Sequence, residues 1–247
     1  MPGTDRPEQR RANARTAVVW EALRDLLDGE PLDVLDIGGG TGVSAVRIAG
    51  MGHRVTVVDP SPDALASLGR RAREEGVEVV AHQGDLSSLL APAGPVAPGS
   101  ADLVLCHGVL EHVTDAAGAL ATLHEVLRPG GALSLLVAQR HAAVIARAMA
   151  GHFGQALALL DPTSEASTEP GRAGRRFTRD ELTDLLDAAD LRTETVHGIR
   201  VFADLVPGSL LDLEPGATAA LLELEQAVAE RPEYLPLATQ LHLLARA

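Results

Sequence analysis

One segment, Val34-Leu35-Asp36-Ile37-Gly38-Gly39-Gly40-Thr41-Gly42, constrains this chain more than any other. A short apolar run bounded by glycine reads as a buried strand that breaks into a tight bend. Glycines let a ligand come close to the backbone there, because no Cβ intervenes and positive φ costs little. The helix expected over residues 44–49 points its first N–H groups at the same place. A second strand, Val55-Thr56-Val57-Val58, closes on Asp59. An acidic side chain about 20 residues beyond such a bend can bond both hydroxyls of a ribose. The combination predicts a nucleoside site. A dinucleotide fingerprint needs Gly-x-Gly-x-x-Gly/Ala. Counted from Gly38, the first glycine of the bend, its last position falls on Val43.

The rest of the chain keeps the rhythm that this opening sets. A helix is expected over about 7–27, with Val19, Ala22, Leu23, Leu26 and Leu27 on one face. Ser61-Pro62 is an N-cap followed by proline at the first helical position. Further strands are expected at 77–81, 103–105 and 133–137. The stretch 91–100 reads as a Pro/Gly surface loop. A helix through Leu120, Leu123, Val126 and Leu127 is expected to stop at Arg128-Pro129-Gly130-Gly131. Short strands alternating with amphipathic helices predict an α/β fold with a doubly wound, mostly parallel sheet. Beyond it, 141–160 reads as helical and 161–176 as a mobile connection. Thr178-x-x-Glu181 is a capping box that opens a helix carrying Leu182, Leu185, Leu186 and Ala189. Strands near 192–196 and 241–245 flank a helix at 217–229, which completes seven strands. The reading is a single domain over 1–247, with a helical extension at 1–30 and a substrate-side cap insertion at 141–178.

Composition narrows the function. Lys and Arg number 21 against 34 Asp and Glu, a formal net charge of -13. That balance argues against broad, sequence-blind nucleic-acid binding but leaves room for a local basic patch. Cys106 is the one cysteine, so neither an intrachain disulfide nor a four-cysteine zinc site is available. Buried on a strand, it is most simply a small apolar filler. Glu111-His112 with Asp115 lacks a second cluster, and no metal is expected. The first residues lack the apolar core of a secretory signal, and no apolar run reaches the ~18–20 residues of a membrane span. A cytoplasmic location without membrane attachment is the expectation.

VLDIGGGTG, VTVVDPS, GDL, ADLVLCHGVLEHV and LRPGGALSL resemble the successive motifs of class I S-adenosylmethionine (SAM)-dependent methyltransferases, and Gly38-x-Gly40-x-Gly42 after Asp36 is the SAM form of the bend. The resemblance implies a Rossmann-like fold, SAM as cofactor and methyl transfer as activity. By it, Asp36 precedes the bend, Gly38, Gly39 and Gly40 face the methionine portion, and Asp59 the ribose. Gly84-Asp85-Leu86 would meet the adenine, with Asp85 at its amino group and Leu86 packing nearby. His107 would line the methyl-donor site.

A narrower likeness spans residues 15–247: RTAVVW, MGH, HGVLEHV, LRPGGALSLL, GIRVFADL and ALLELE resemble the bacterial tRNA methyltransferases that esterify 5-carboxymethoxyuridine at the wobble position. It implies that Arg15 pairs with the SAM carboxylate and that Arg200 clamps the substrate carboxylate, as a guanidinium fork suits. Where that group carries a lysine-rich stretch, this chain reads TSEASTEPGRAGRR, with Arg172, Arg175 and Arg176. Few aromatics are available for base stacking: Trp20, Phe153, Phe177, Phe202 and Tyr234. The partner is therefore tRNA or a small-molecule carboxylate. Two further readings stay open, a small-molecule O- or N-methyltransferase of specialised metabolism and a non-catalytic SAM-binding protein. A carboxylate acceptor is already ionised and needs alignment rather than a general base. A hydroxyl or amine would need one, with His107, His112 and His141 as candidates.

Overall fold

The computed structural model of the chain describes residues 7–92, 94–160, 174–213 and 215–247, with side chains from residue 17 onward except at 208, 212 and 213. In chain order come α1 (Pro7–Leu27), β1 (Asp33–Ile37), α2 (Val43–Gly50), β2 (Arg54–Asp59), α3 (Pro62–Glu75), β3 (Val80–Gln83), β4 (Ala101–His107), α4 (Ala116–Val126) and β5 (Leu127–Ala138). Then follow α5 (Arg140–Met149), α6 (Phe153–Ala158), α7 (Arg179–Ala188), β6 (Arg192–Ile199), α8 (Gly208–Leu213), α9 (Ala217–Val228) and β7 (Gln240–Arg246).

The strands form one seven-stranded sheet in the order β3-β2-β1-β4-β5-β7-β6. β1 pairs in parallel with β2 on one side and β4 on the other, and β2–β3 and β4–β5 are parallel too. β7 is reversed. Gly130 N–H donates to Ala247 O near the start of β5, and Gln139 N–H donates to Thr239 O just past its end. The expected α/β, mostly parallel, Rossmann-like sheet is the one observed. Strand order turns back at β1 and β4, so their carboxyl ends flank the crevice where such sheets bind ligands.

The chain groups into two compact units, one of residues 24–136, 182–194 and 243–247, the other of residues 1–23, 137–181 and 195–242. In the first, Leu35, Ile37, Val57, Val58, Leu103, Leu105, Leu133 and Leu135 make an aliphatic centre with almost no solvent exposure. Ile48, Leu68, Leu120 and Leu123 from α2, α3 and α4 add to the same buried set. At the amino ends of β1 and β4, Asp33 pairs with Arg54 and Arg128, and Arg128 also pairs with Asp102. The hydrogen bond from Arg54 leads the effects that hold the Asp33 carboxyl down at about 2. In the second unit Phe177, Leu241, Ile199 and Val201 are buried. Among the described residues no helix is long and apolar enough to cross a membrane. No group of three or more His, Cys, Asp or Glu side chains there could hold a metal ion.

Three boundaries differ from the sequence reading, each for a local reason. Val77 closes the cap of α3 instead of starting β3. Gly76 takes φ 68° and Val77 N–H donates to Ala72 O, a left-handed helix cap, so β3 begins at Val80. The Arg128–Gly131 turn belongs to β5, because the end of β7 pairs with it: Ala247 N–H donates to Gly131 O. The helix expected over 141–160 breaks at Gly151, whose φ is 76°, into α5 and α6. The connection expected at 161–176 falls outside the described residues over 161–173. The capping box is made as expected. Thr178 N–H donates to Glu181 Oε2 at 2.8 Å and Glu181 N–H to Thr178 Oγ1 at 3.3 Å. Arg140 reinforces it through both Glu181 oxygens, at 2.8 and 2.9 Å.

Candidate functional site

The bend after β1 is stapled to β2. Gly38 N–H donates to Val58 O at 2.8 Å, Gly40 N–H to Asp59 Oδ2 at 2.8 Å, and Ser61 N–H to Asp59 Oδ1 at 2.8 Å. Gly84 N–H donates to the Asp59 carbonyl at 3.2 Å, which brings the start of the Gly84-Asp85-Leu86 segment to the same strand tip. The glycines have separate jobs. A Cβ on Gly39 would stand 2.7 Å from Asp36 Oδ2 and 2.9 Å from Val57 Cγ1, and one on Gly38 2.4 Å from Val109 Cγ2. One on Gly42 would stand 2.1 Å from Leu68 Cδ1, so this glycine lets α2 and α3 approach. Gly40, at φ 56°, faces open space: a Cβ would find only Gly38 O, at 3.9 Å. Asp36, Gly38, Gly39, Gly40, Asp59 and Gly84 thus converge, with Val109, two residues past His107, closing over Gly38.

The floor of the bend is acidic. Asp36 and Asp59 are both buried. Burial pushes the Asp36 carboxyl up to about 7, and the charge of Asp59 adds to it. Two acidic side chains coupled in this way favour a nearby cation. The Asp85 Oδ1 accepts from Ser87 N–H at 3.0 Å, Ser87 Oγ–H at 2.6 Å and Ser88 N–H at 3.2 Å. Those bonds, led by the Ser87 hydroxyl, hold its pKa down. Leu86 is buried beside it. His107 ends β4, with Nε2 at 2.8 Å from Ser134 Oγ, a partner on β5 that the sequence reading did not find. Cys106 is buried, and burial pushes its thiol up to about 12, so it stays protonated. Asp115 caps α4 through Gly118 N–H at 2.9 Å.

Arg15 lies on α1, where its side chain is outside the described residues. Arg200 belongs to the second unit, just past β6. Its φ is +57°, one of two positive values among the described non-glycine residues. Its Nε lies 3.4 Å from Asp204 Oδ2. Glu225, on α9, went unnoticed in the sequence. Its buried carboxylate accepts from Val201 N–H at 2.8 Å, Phe202 N–H at 2.9 Å and Ala203 N–H at 2.7 Å. The signal was there: Glu225 stands four residues after Leu221 and three before Val228, on the apolar face of the helix.

Residues 34–131 match the family model of a methyltransferase domain. Over 243 residues the chain is 31% identical to the tRNA 5-carboxymethoxyuridine methyltransferase of Escherichia coli K12, covering 94% of this chain and 87% of that protein. It is similar in structure to a SAM-dependent methyltransferase from Mesorhizobium loti, with TM-score 0.60 and 21% identity over 95% of this chain and 100% of that one. It is also similar to the Burkholderia thailandensis 1,6-didemethyltoxoflavin-N1-methyltransferase solved with S-adenosylhomocysteine, with TM-score 0.55 and 22% identity over 94% of this chain and 77% of that one.

Proposed function

Because the chain belongs to the class I SAM-dependent methyltransferases, we propose that it methylates a carboxylate, that of 5-carboxymethoxyuridine at the tRNA wobble position. The observation that carries this reading is the reach of the likeness to the E. coli tRNA enzyme. It extends over 94% of the chain, well beyond the methyltransferase domain at 34–131, and takes in the Arg200 loop.

In this proposal Gly38, Gly39 and Gly40 receive the methionine portion of SAM, Asp59 the ribose, Gly84, Asp85 and Leu86 the adenine, and Arg15 the cofactor carboxylate. The acidic bend and the open face of Gly40 fit a cationic adenosyl ligand. Bound SAM supplies an electrophilic methyl group, which passes to a carboxylate oxygen to give a methyl ester and S-adenosylhomocysteine. Arg200 holds the acceptor carboxylate in line, with no proton to remove. Alignment of that kind is worth roughly 7–11 kcal/mol of barrier in well-oriented cases. His107 lines the donor site rather than acting as a base. All 21 basic side chains are arginines, the residue best suited to two-pronged bonds with carboxylate and phosphate. With a net charge of -13, RNA contact must be local.

The test is incubation of the purified protein and SAM with tRNA carrying unmethylated 5-carboxymethoxyuridine, followed by mass spectrometry of the nucleosides. Appearance of the methyl ester, strongly but measurably reduced in Arg200→Ala, is expected. Methylation of free carboxylic acids with tRNA left unchanged would assign the site to small molecules. SAM binding without transfer to any acceptor would leave a binding protein.

A further inference from the structure

Arg200 is an unusual place for a side chain to be left to chance. A non-glycine residue at φ +57° is strained, and such residues persist only where their surroundings over-determine them. Here the backbone is gripped from both sides. The three N–H groups that follow Arg200 converge on the Glu225 carboxylate at 2.7–2.9 Å, and Val201 and Ala203 are buried around it. From the other side Thr239 N–H donates to Arg200 O at 3.4 Å. The Thr239 hydroxyl lies 3.1 Å from that carbonyl and 2.7 Å from Asp204 Oδ2. Burying a carboxylate is costly unless hydrogen bonds hold its charge, and the three amides supply them. The result is a loop whose torsions are set by a side chain 25 positions further on. Within it the Arg200 Nε is buried without a hydrogen-bond partner among the described residues, with Asp204 as its ion-pair neighbour.

We propose that Glu225 is the positioning residue of Arg200: by gathering the amides of Val201, Phe202 and Ala203 it fixes the direction of the guanidinium that receives the acceptor's anionic group. The role rests on the reading that Arg200 binds the acceptor carboxylate, but the positioning can be measured by itself. Glu225→Gln keeps the shape and one acceptor oxygen while replacing the other with a donor that opposes an N–H.

The experiment compares full-length protein labelled with 15N-arginine in wild-type, Glu225→Gln and Arg200→Lys forms, the last to assign the Arg200 Nε–H signal. In wild type this signal should be resolved and exchange slowly. In Glu225→Gln it should move towards the positions of exposed arginines and exchange about tenfold faster or more, with SAM affinity within about twofold. With 5-carboxymethoxyuridine tRNA, Glu225→Gln should raise KM about tenfold, and the Glu225→Gln/Arg200→Ala double variant should be no worse than Arg200→Ala. Should the amide variant not fold, Glu225→Asp, which keeps the charge but withdraws its oxygens, takes its place with the same expectations. An Arg200 signal that exchanges like exposed arginines in wild type, or that is unchanged in the folded variant, overturns the proposal, as do losses that multiply in the double variant. If Arg200→Ala leaves tRNA methylation unaltered, the acceptor reading falls while the spectroscopic comparison still decides the positioning.

Discussion

The backbone N–H of Gly40 donates to Asp59 Oδ2 at 2.8 Å, tying the glycine bend to the tip of the neighbouring strand. Oδ1 of the same carboxylate accepts from Ser61 N–H at 2.8 Å and steadies the start of α3. Asp59 therefore shapes the bend, and in the proposed site its remaining lone pairs would receive a ribose.

Asp59→Asn separates these duties from simple loss of side-chain volume. One amide oxygen can serve Gly40 or Ser61 but not both, and the amide nitrogen opposes whichever N–H remains. Hydrogen bonds to a charged group are worth about 1.5–3 kcal/mol. The variant should lower the melting temperature of the cofactor-free protein and weaken SAM binding about tenfold or more. Calorimetric titration alongside thermal unfolding checks both. A dissociation constant equal to wild type would remove Asp59 from the cofactor site.

Two glycine substitutions one residue apart should fail in opposite ways. Gly39→Ala drives a methyl group into Asp36 and Val57, and overpacking of that kind costs about 1–3 kcal/mol. It should show first as lost stability. Gly40→Ala meets no neighbour closer than 3.9 Å, so its penalty is the mild strain of a positive φ, and the fold should survive with the cofactor space filled. Loss of SAM binding with a near-normal unfolding curve is expected for Gly40→Ala alone. Tight binding by that variant would show that the open face of the bend is not where the cofactor lies.

Asp36 makes the site sensitive to pH. Its carboxyl is raised from 3.8 to about 7, first by burial and then by the charge of Asp59. A raised acid contributes stability that is complete below its unfolded value and is lost as pH rises through its folded value, at about 1.4 kcal/mol per pH unit between them. Between these limits the unfolded chain has shed a proton that the folded protein keeps. The cofactor-free protein should therefore lose stability from about pH 4 to 7 through this group, and Asp36→Asn should flatten that slope. A cationic ligand favours the ionised form, so SAM binding near neutrality should release a proton from Asp36. Binding enthalpies measured in buffers of different ionisation heat should differ more in wild type than in Asp36→Asn. Equal differences would mean that Asp36 does not sense the cofactor.

Local chemistry makes much of this legible in the sequence. Ser61 caps α3 through Ala64 N–H at 3.2 Å, and Thr178 and Glu181 complete their box, because each device acts within four residues. The glycine bend and Asp59 could be paired because their spacing reflects one strand, one helix and one more strand. What escaped was made by distant chain. Gly130 and Gly131 looked like a turn until the end of β7 paired with them, and Ser134 is unremarkable until His107 stands beside it. Glu225 did leave a trace, a charge on an apolar helix face. The amides it serves are 22–24 residues away, and only the fold shows that three of them meet there.

The last prediction concerns what the protein does not need. If the acceptor is a carboxylate, its oxygen is ionised throughout the neutral range and no side chain has to take a proton. His107, held at 2.8 Å from Ser134 Oγ at the end of β4, then contributes shape and a polar contact. With SAM and tRNA saturating, kcat should be level between about pH 6.5 and 9, and His107→Asn should lower it less than about tenfold, below the 10²–10⁴ that a general base contributes. Saturation matters, because the Asp36 titration enters through cofactor binding. A rising limb in kcat that disappears in His107→Asn, with a loss of about a hundredfold or more, would identify His107 as a base. The acceptor would then be a hydroxyl or an amine.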